Sequence, residues 1–435
     1  MKSKLPKVLH PLAGRPMLSQ LLATLDALGS EKQIVVVSPE NRDAIIEERP
    51  ELEFAVQHTP LGTGHAVMAA LESFAGFKGD VLVLFGDSPL VSIETLKAML
   101  AARRTSADPA VVVMGFRPED TEQYARLILN NEGDLVRIVE HNDATDLERE
   151  TDLCNSGFMA IDGAALGTLL GGIGTNNSKG EYYLTEIVEI ANRAGRACAV
   201  VEASEIEAYG INSRGQLAEA EAIIQHRLRH MAMSVGVTLL DPDSVYFSHD
   251  TVLGQDVTIQ PHVYFGPGVT IGDNVTINAF SHLEGCHIAA DACVGPFARL
   301  RPETEIGEGA RIGNFVEIKK AIIENGAKIN HLSYIGDARV GEGTNIGAGT
   351  ITCNYDGFLK SFTDIGRGAF IGSNSALVAP VKVGDGAIVG AGSTVTREVP
   401  ADALAVERST QEEHQGWAVN FRKRKAAEKA AENKD

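Results

Sequence analysis

Two rhythms of apolar residues divide this chain. From about Thr251 to Thr396 an aliphatic residue returns every six positions, often followed by glycine. Ile271-Gly272, Ile277 and Leu283 form one run, and Ile306-Gly307, Ile312-Gly313 and Ile318 form a second. Ile365-Gly366, Ile371-Gly372, Leu377, Val383-Gly384, Val389-Gly390 and Val395 form the longest. A small or β-branched residue often follows four positions later, as Val275 after Ile271, Ala310 after Ile306 and Ala369 after Ile365. This is neither a strand alternation nor a helical repeat. It predicts a solenoid of flat faces, each a short strand with one aliphatic residue inward, joined by tight turns that glycine or asparagine adopts without strain. Three faces close a coil, so roughly eight coils stack.

The first half reads differently. Ile34–Val37, Phe54–Gln57, Val81–Phe85 and Val111–Met114 are short apolar runs separated by helical segments such as Pro16–Leu28 and the one opening at Gly62. That order predicts a mostly parallel sheet with helices on both faces. Between Arg214 and Val235, Leu217, Ala220, Ile224 and Leu228 recur on one side of a connecting helix. The expected organisation is an α/β domain over 1–212, a linker helix over 213–236, a β-helix over 237–410 and a charged tail over 411–435.

Composition narrows the class. A chain of 435 residues exceeds one ordinary core. Its 44% apolar and 22% charged residues are those of a folded, soluble protein. No run approaches the length of a membrane span, and Met1–Pro11 lacks the apolar core of a signal peptide. Five cysteines without a CxxC pair fit a reducing cytoplasm and indicate no zinc site. A formal charge of -19 argues against nucleic acid as partner. Arg422 to Lys425 make a basic run in the tail, read as a solvated surface, with help in holding a phosphorylated ligand as the alternative.

Candidate chemistry lies where the repeat is broken: Gly295–Pro302, Gly313–Lys320, Asn330–Asp337 and Asn345–Lys360. Arg301 and Lys319 are suited to neutralise a phosphoryl group. His331 is the side chain best suited to take a proton near neutral pH. In the first half Asp87 ends a buried strand, the usual place for ligand or metal chemistry in an open α/β sheet. Capping the following helix is its alternative role.

The repeat resembles the left-handed β-helix acyltransferases, which are commonly homotrimers; the hand and the oligomeric state come from that resemblance alone. The four interruptions are similar to the acetyltransferase half of the bifunctional bacterial enzymes that make UDP-N-acetylglucosamine. The resemblance implies that His331 is the base in acetylation of glucosamine 1-phosphate by acetyl-CoA. Arg301, Lys319, Tyr334, Asn345 and Lys360 would contact the sugar phosphate. Asn354 and Tyr355 would orient base and substrate beside the cofactor, and Ser373, Ala391 and Arg408 would contact coenzyme A. A backbone N–H near Ala348 or Gly349 would face the oxyanion.

The first half resembles the sugar-1-phosphate nucleotidyltransferases. Leu5–Leu9 matches their lysine segment, with Lys7 catalytic. Gln57 and Leu61–Ala66, including Gly62 and Thr63, match the uridine-contacting turn. Glu140 and Asn155 would bind N-acetylglucosamine 1-phosphate, and Asp87 and Asn212 would hold Mg²⁺. Ala125 stands where that family typically has glycine. The family opens with a buried strand and an arginine-bearing, glycine-rich loop before the lysine segment, whereas this sequence reads Met1-Lys2-Ser3-Lys4-Leu5 there. The expectation is a sheet without that strand. Either the natural start lies upstream, the preferred reading, or the chain is an acetyltransferase only; a nucleotidyltransferase whose β-helix merely assembles it and a scaffold trimer compete separately with the bifunctional reading.

Overall fold

The computed structural model describes residues 1–121 and 124–432. It falls into two compact units, Met1–His230 and Met231–Asp435.

In the first unit the elements are α1 (Met17–Leu28), β1 (Ile34–Val37), α2 (Pro39–Glu48), β2 (Glu53–Val56), α3 (Thr63–Ala69), β3 (Asp80–Val83) and α4 (Ile93–Arg103). They continue with β4 (Val111–Phe116), β5 (Arg126–Leu129), β6 (Leu135–Val139), β7 (Cys154–Asp162), α5 (Gly163–Gly171), α6 (Glu186–Arg193), β8 (Cys198–Glu202) and α7 (Arg214–Ser234), whose last residues fall in the second unit. Local chemistry sets several boundaries. Gly29, at φ 77°, closes α1, and Ser92 opens α4 by accepting a bond from the Thr95 N–H.

The main sheet runs β8-β4-β7-β5-β6, with β3 pairing the other edge of β7. The expected mostly parallel sheet is corrected here to a mixed one. β7 is antiparallel to both β3 and β4, with Ile161 opposite Val81 on one side and Val111 on the other. β7 follows the β5–β6 hairpin and needs no crossover helix, so nothing imposes the parallel sense.

β1 and β2 form a separate parallel pair. A slot of about 940 Å³ lies between β1 and β3, with Val35, Val36, Leu82 and Leu84 among its walls. Leu18, Leu22 and Leu25 of α1 cover one side, and Val67 and Ala70 line it from the helical layer that packs on Val81 and Val83. Among the described residues no strand pairing joins β1 to β3.

The second unit is a parallel β-helix. One face carries ten strands, from Thr238–Leu239 to Leu404–Ala405. Inward residues stack in columns: Ile271, Ile288, Ile306, Ile323, Val340, Ile365 and Val383 are successive register partners on one face. A second face stacks Phe265, Leu283, Leu300, Ile318 and Ile335. There the aliphatic column is interrupted by Thr352, which is fully buried and accepts the Gly336 N–H at 2.8 Å. A helix, α8 (Trp417–Glu432), occupies most of the expected charged tail, with Trp417 stacked on Phe421. Among the described residues no helix is long and apolar enough to cross a membrane.

Candidate active sites

In the first unit, Lys7 lies on a single 3₁₀ turn, Lys7–Leu9. Its ammonium donates to the Asp87 carboxylate and to Asn212 Oδ1 at 2.8 Å. The Ile211 N–H donates to the Asp87 carbonyl at 2.8 Å, which ties the two loops together. Two hard oxygen donors from distant segments thus converge on one cation. This donor set fits Mg²⁺, which takes one or two protein oxygens and completes its shell with water and phosphate.

The other expected residues are tied to one another or to near neighbours rather than to this cluster. Gln57 Nε2 donates to the Gly62 carbonyl at 3.1 Å. Gly62 has φ 111°, and a Cβ there would meet the Tyr182 carbonyl at 2.6 Å, so only glycine lets this turn approach so closely. Thr63 Oγ1 accepts the Leu184 N–H at 3.1 Å, and the neighbouring Thr185 hydroxyl donates to Glu140 at 3.4 Å. Burial pushes the Glu140 carboxyl up from its ordinary range, against the pull of Thr185 and Lys179. The Asn155 N–H donates to the Ala125 carbonyl at 2.8 Å. Ala125 is buried, so its methyl is accommodated in the core.

In the second unit the site spreads over one face and its two corners. At one corner, His331 Nδ1 faces Asn314 Oδ1 at 2.8 Å. Above it, Ala348, Ser373 and Ala391 rise in a column: the Asn374 N–H donates to the Ala348 carbonyl, and the Gly392 N–H to the Ser373 carbonyl, each at 2.8 Å. Arg408 donates to the Ala391 carbonyl at 2.7 Å. Across the face, Arg301 pairs with Glu317 at 2.9 Å. Lys319 lies beside Lys360, whose ammonium, followed by partial burial and Arg301, holds the Lys319 amine below its ordinary range. Tyr334 and Asn354 lie over Gly336, where a Cβ would meet the Tyr334 hydroxyl at 2.4 Å and Asn354 Nδ2 at 2.9 Å. Asn354 also donates to Asp337, and Tyr355 bridges Lys360 across the short hairpin that carries them.

Asn345 does not join the cationic cluster, although its sheet also carries His331. Asn345 lies on the ten-stranded face, paired with Lys328 and Phe370, whereas Lys319 and Tyr334 belong to the second sheet and Arg301 follows its Arg299–Leu300 strand. Asn314 and Glu317 were missed by motif reading. The ladder would have found them: Asn314 stacks with His331 and Glu317 with Tyr334, each 17 residues on.

An α/β domain with a lysine–carboxylate–amide cluster, followed by a β-helix with a histidine and a cationic cluster, defines a two-domain transferase. The MobA-like NTP transferase domain matches residues 1–131, and bacterial transferase hexapeptide repeats match residues 250–285, 285–320 and 362–397. The chain is 59% identical to the bifunctional protein GlmU of Paramagnetospirillum magneticum over 430 residues, covering 99% of this chain and 95% of the relative. It is 58% identical to that of Rhodospirillum rubrum over 97% of this chain and 94% of the relative. The protein of Sphingopyxis alaskensis is 54% identical over 100% and 96%. The chain therefore belongs to the bifunctional GlmU family. It is a bifunctional enzyme of UDP-N-acetylglucosamine synthesis, joining N-acetylation of glucosamine 1-phosphate to uridylyl transfer onto N-acetylglucosamine 1-phosphate. The acetyltransferase-only, assembly-only and scaffold readings are set aside with that membership.

Proposed function

We propose that His331 and the Arg301–Lys319–Lys360 cluster carry acetyl transfer, and that Lys7, Asp87 and Asn212 carry uridylyl transfer. The observation behind the first assignment is the crowding of three cations on one face, enough to hold Lys319 below its ordinary range. A sugar phosphate dianion relieves that repulsion and is fixed by it. Tyr334 and Asn354 then border the sugar ring. His331 takes a proton from the 2-amine, the nitrogen bonds to the thioester carbonyl, and the C–S bond breaks to release coenzyme A. Ala348, Ser373, Ala391 and Arg408 line the track of the cofactor above His331, with Tyr355 at its edge.

In the first unit Asp87 and Asn212 would hold Mg²⁺, which when bound neutralises phosphate charge. Lys7, freed from Asp87, stabilises the charge developing on the α-phosphate. Gln57, Gly62 and Thr63 form the turn against the uracil base. Glu140 and Asn155, beside Ala125, hold N-acetylglucosamine.

The working assembly is a homotrimer of left-handed β-helices in the cytoplasm. Two features support the trimer. Asn345 lies off the face that holds the other sugar contacts, so a second copy would supply it. Phe280, Phe297 and Phe315 also stack at 4.9 and 5.1 Å in an exposed ridge along the His331 corner. All five cysteines are free, as a reducing compartment requires.

Thiol release from acetyl-CoA tests the acetyl site: glucosamine 1-phosphate should support it, and glucose 1-phosphate should not. Release with both would overturn the amine as nucleophile. Mixing Asn345→Ala with Lys319→Ala subunits should restore part of the activity, because some interfaces receive both intact residues. No recovery after subunit exchange would refute a shared site.

A further inference from the structure

We infer that Asn314 fixes the tautomer of His331, and so determines which ring nitrogen is free to act. This rests on His331 being the base of acetyl transfer. Asn314 ends the strand Arg311–Asn314 and His331 ends Lys328–His331, and the two are register partners one coil apart. Their meeting is therefore set by the ladder and not by a loop.

The amide oxygen of Asn314 lies 2.8 Å from His331 Nδ1. An oxygen in that place accepts and cannot donate, so the proton of the neutral ring resides on Nδ1 and the lone pair on Nε2. The surrounding backbone holds the same geometry. The Leu332 N–H donates to the Asn314 carbonyl at 3.0 Å, and the Ser333 hydroxyl donates to the His331 carbonyl at 2.9 Å. When Nε2 takes the substrate proton, Nδ1–H keeps its acceptor, so proton uptake breaks no bond at the other nitrogen.

The choice of an amide over a carboxylate has a consequence. A carboxylate at Nδ1 would favour the charged ring and leave less of the base unprotonated at neutral pH. Asparagine orders the tautomer without adding that charge. The charged groups on the strands packed around His331 are Arg311 and Lys328 on its own face, and Arg299 and Glu317 lining the groove on the next. None of these replaces Asn314 as the acceptor shown at Nδ1.

The test is acetyl transfer by the full chain, with kcat and KM followed against pH for Asn314→Leu, Asn314→Asp, His331→Ala and the Asn314→Leu/His331→Ala double variant. Asn314→Leu keeps the volume and removes the acceptor; kcat should fall about tenfold to a hundredfold with KM unchanged. Asn314→Asp restores an acceptor, so kcat should recover at alkaline pH, with the acid limb moved to higher pH. The double variant should be no slower than His331→Ala. Wild-type kcat in Asn314→Leu, a variant Asp as slow as Leu at every pH, or a further loss in the double variant would overturn the inference. Full activity in His331→Ala would instead sink the base assignment itself, so the two failures are distinguishable. Denaturant unfolding of the β-helix in the same variants reports whether that unit has folded.

Discussion

The β-helix and the α/β unit place their reactive groups in opposite ways. In the β-helix, the proposed pair Asn314 and His331 is 17 residues apart, the length of one coil. In the α/β unit, Lys7 and Asn212 are 205 residues apart. The first site is assembled by a local period, and each inward residue is supported from the coil below and the coil above. The second exists only when the whole unit has folded around a sheet that is interrupted between β1 and β3. The solenoid should therefore tolerate change near its site better than the sheet does, and its interior should be less forgiving.

The largest test of this contrast is chemical. His331→Ala should lower acetyl transfer by about 10²–10⁴-fold while leaving uridylyl transfer untouched. Asp87→Ala should do the reverse, with pyrophosphate release falling by about 10²-fold or more and thiol release unchanged. Both rates measured on each variant decide it. Loss of both activities from either change would mean that the two sites are not independent.

Stability gives the next contrast. Ile329 is fully buried in a complete aliphatic column, between Ile312 and Ile346. Ile329→Ala should cost about 2–5 kcal/mol. Val36 lines the slot and already has empty space on one side. Val36→Ala removes contacts that are partly absent and should cost about 1 kcal/mol. Denaturant unfolding followed separately for each unit measures the difference. Equal costs would show that the slot is closed in solution.

The same contrast explains what could be read in advance. The six-residue spacing of Ile365, Ile371, Leu377, Val383, Val389 and Val395 translates directly into register, because in a solenoid sequence period and spatial stacking are one quantity. His331, Lys319 and Lys360 stood out because they interrupt that period. Asn345 did not declare its face, since motif matching carries no information about which side of the prism a residue occupies. Thr352 looked like part of a polar loop, yet it fills the inward column and holds the Gly336 N–H. In the α/β unit, apolar runs revealed β1, β3 and β4 but not the sense of β7, because a strand buried on both faces reads alike in either direction. The Lys7–Asp87–Asn212 cluster was visible only as three separated motifs.

The smallest effect concerns the buried acid of the α/β unit. Burial raises the Glu140 carboxyl above its ordinary value of 4.5, so folding favours its protonated form. The stability tied to that proton is fully present below the unfolded value and is lost as pH rises through the folded one. At neutral pH the ionised carboxylate is thus a burden on this unit, offset in part by Thr185 and Lys179. Glu140→Gln keeps an acceptor for the Thr185 hydroxyl and removes the charge. It should raise the melting point of the first unit by about 2 °C at pH 7 and flatten its dependence between acid and neutral pH. The β-helix transition should not move. A melting curve of the variant that keeps the wild-type slope with pH would mean that Glu140 is already solvated, and that this unit is open at its proposed sugar site as well as at its slot.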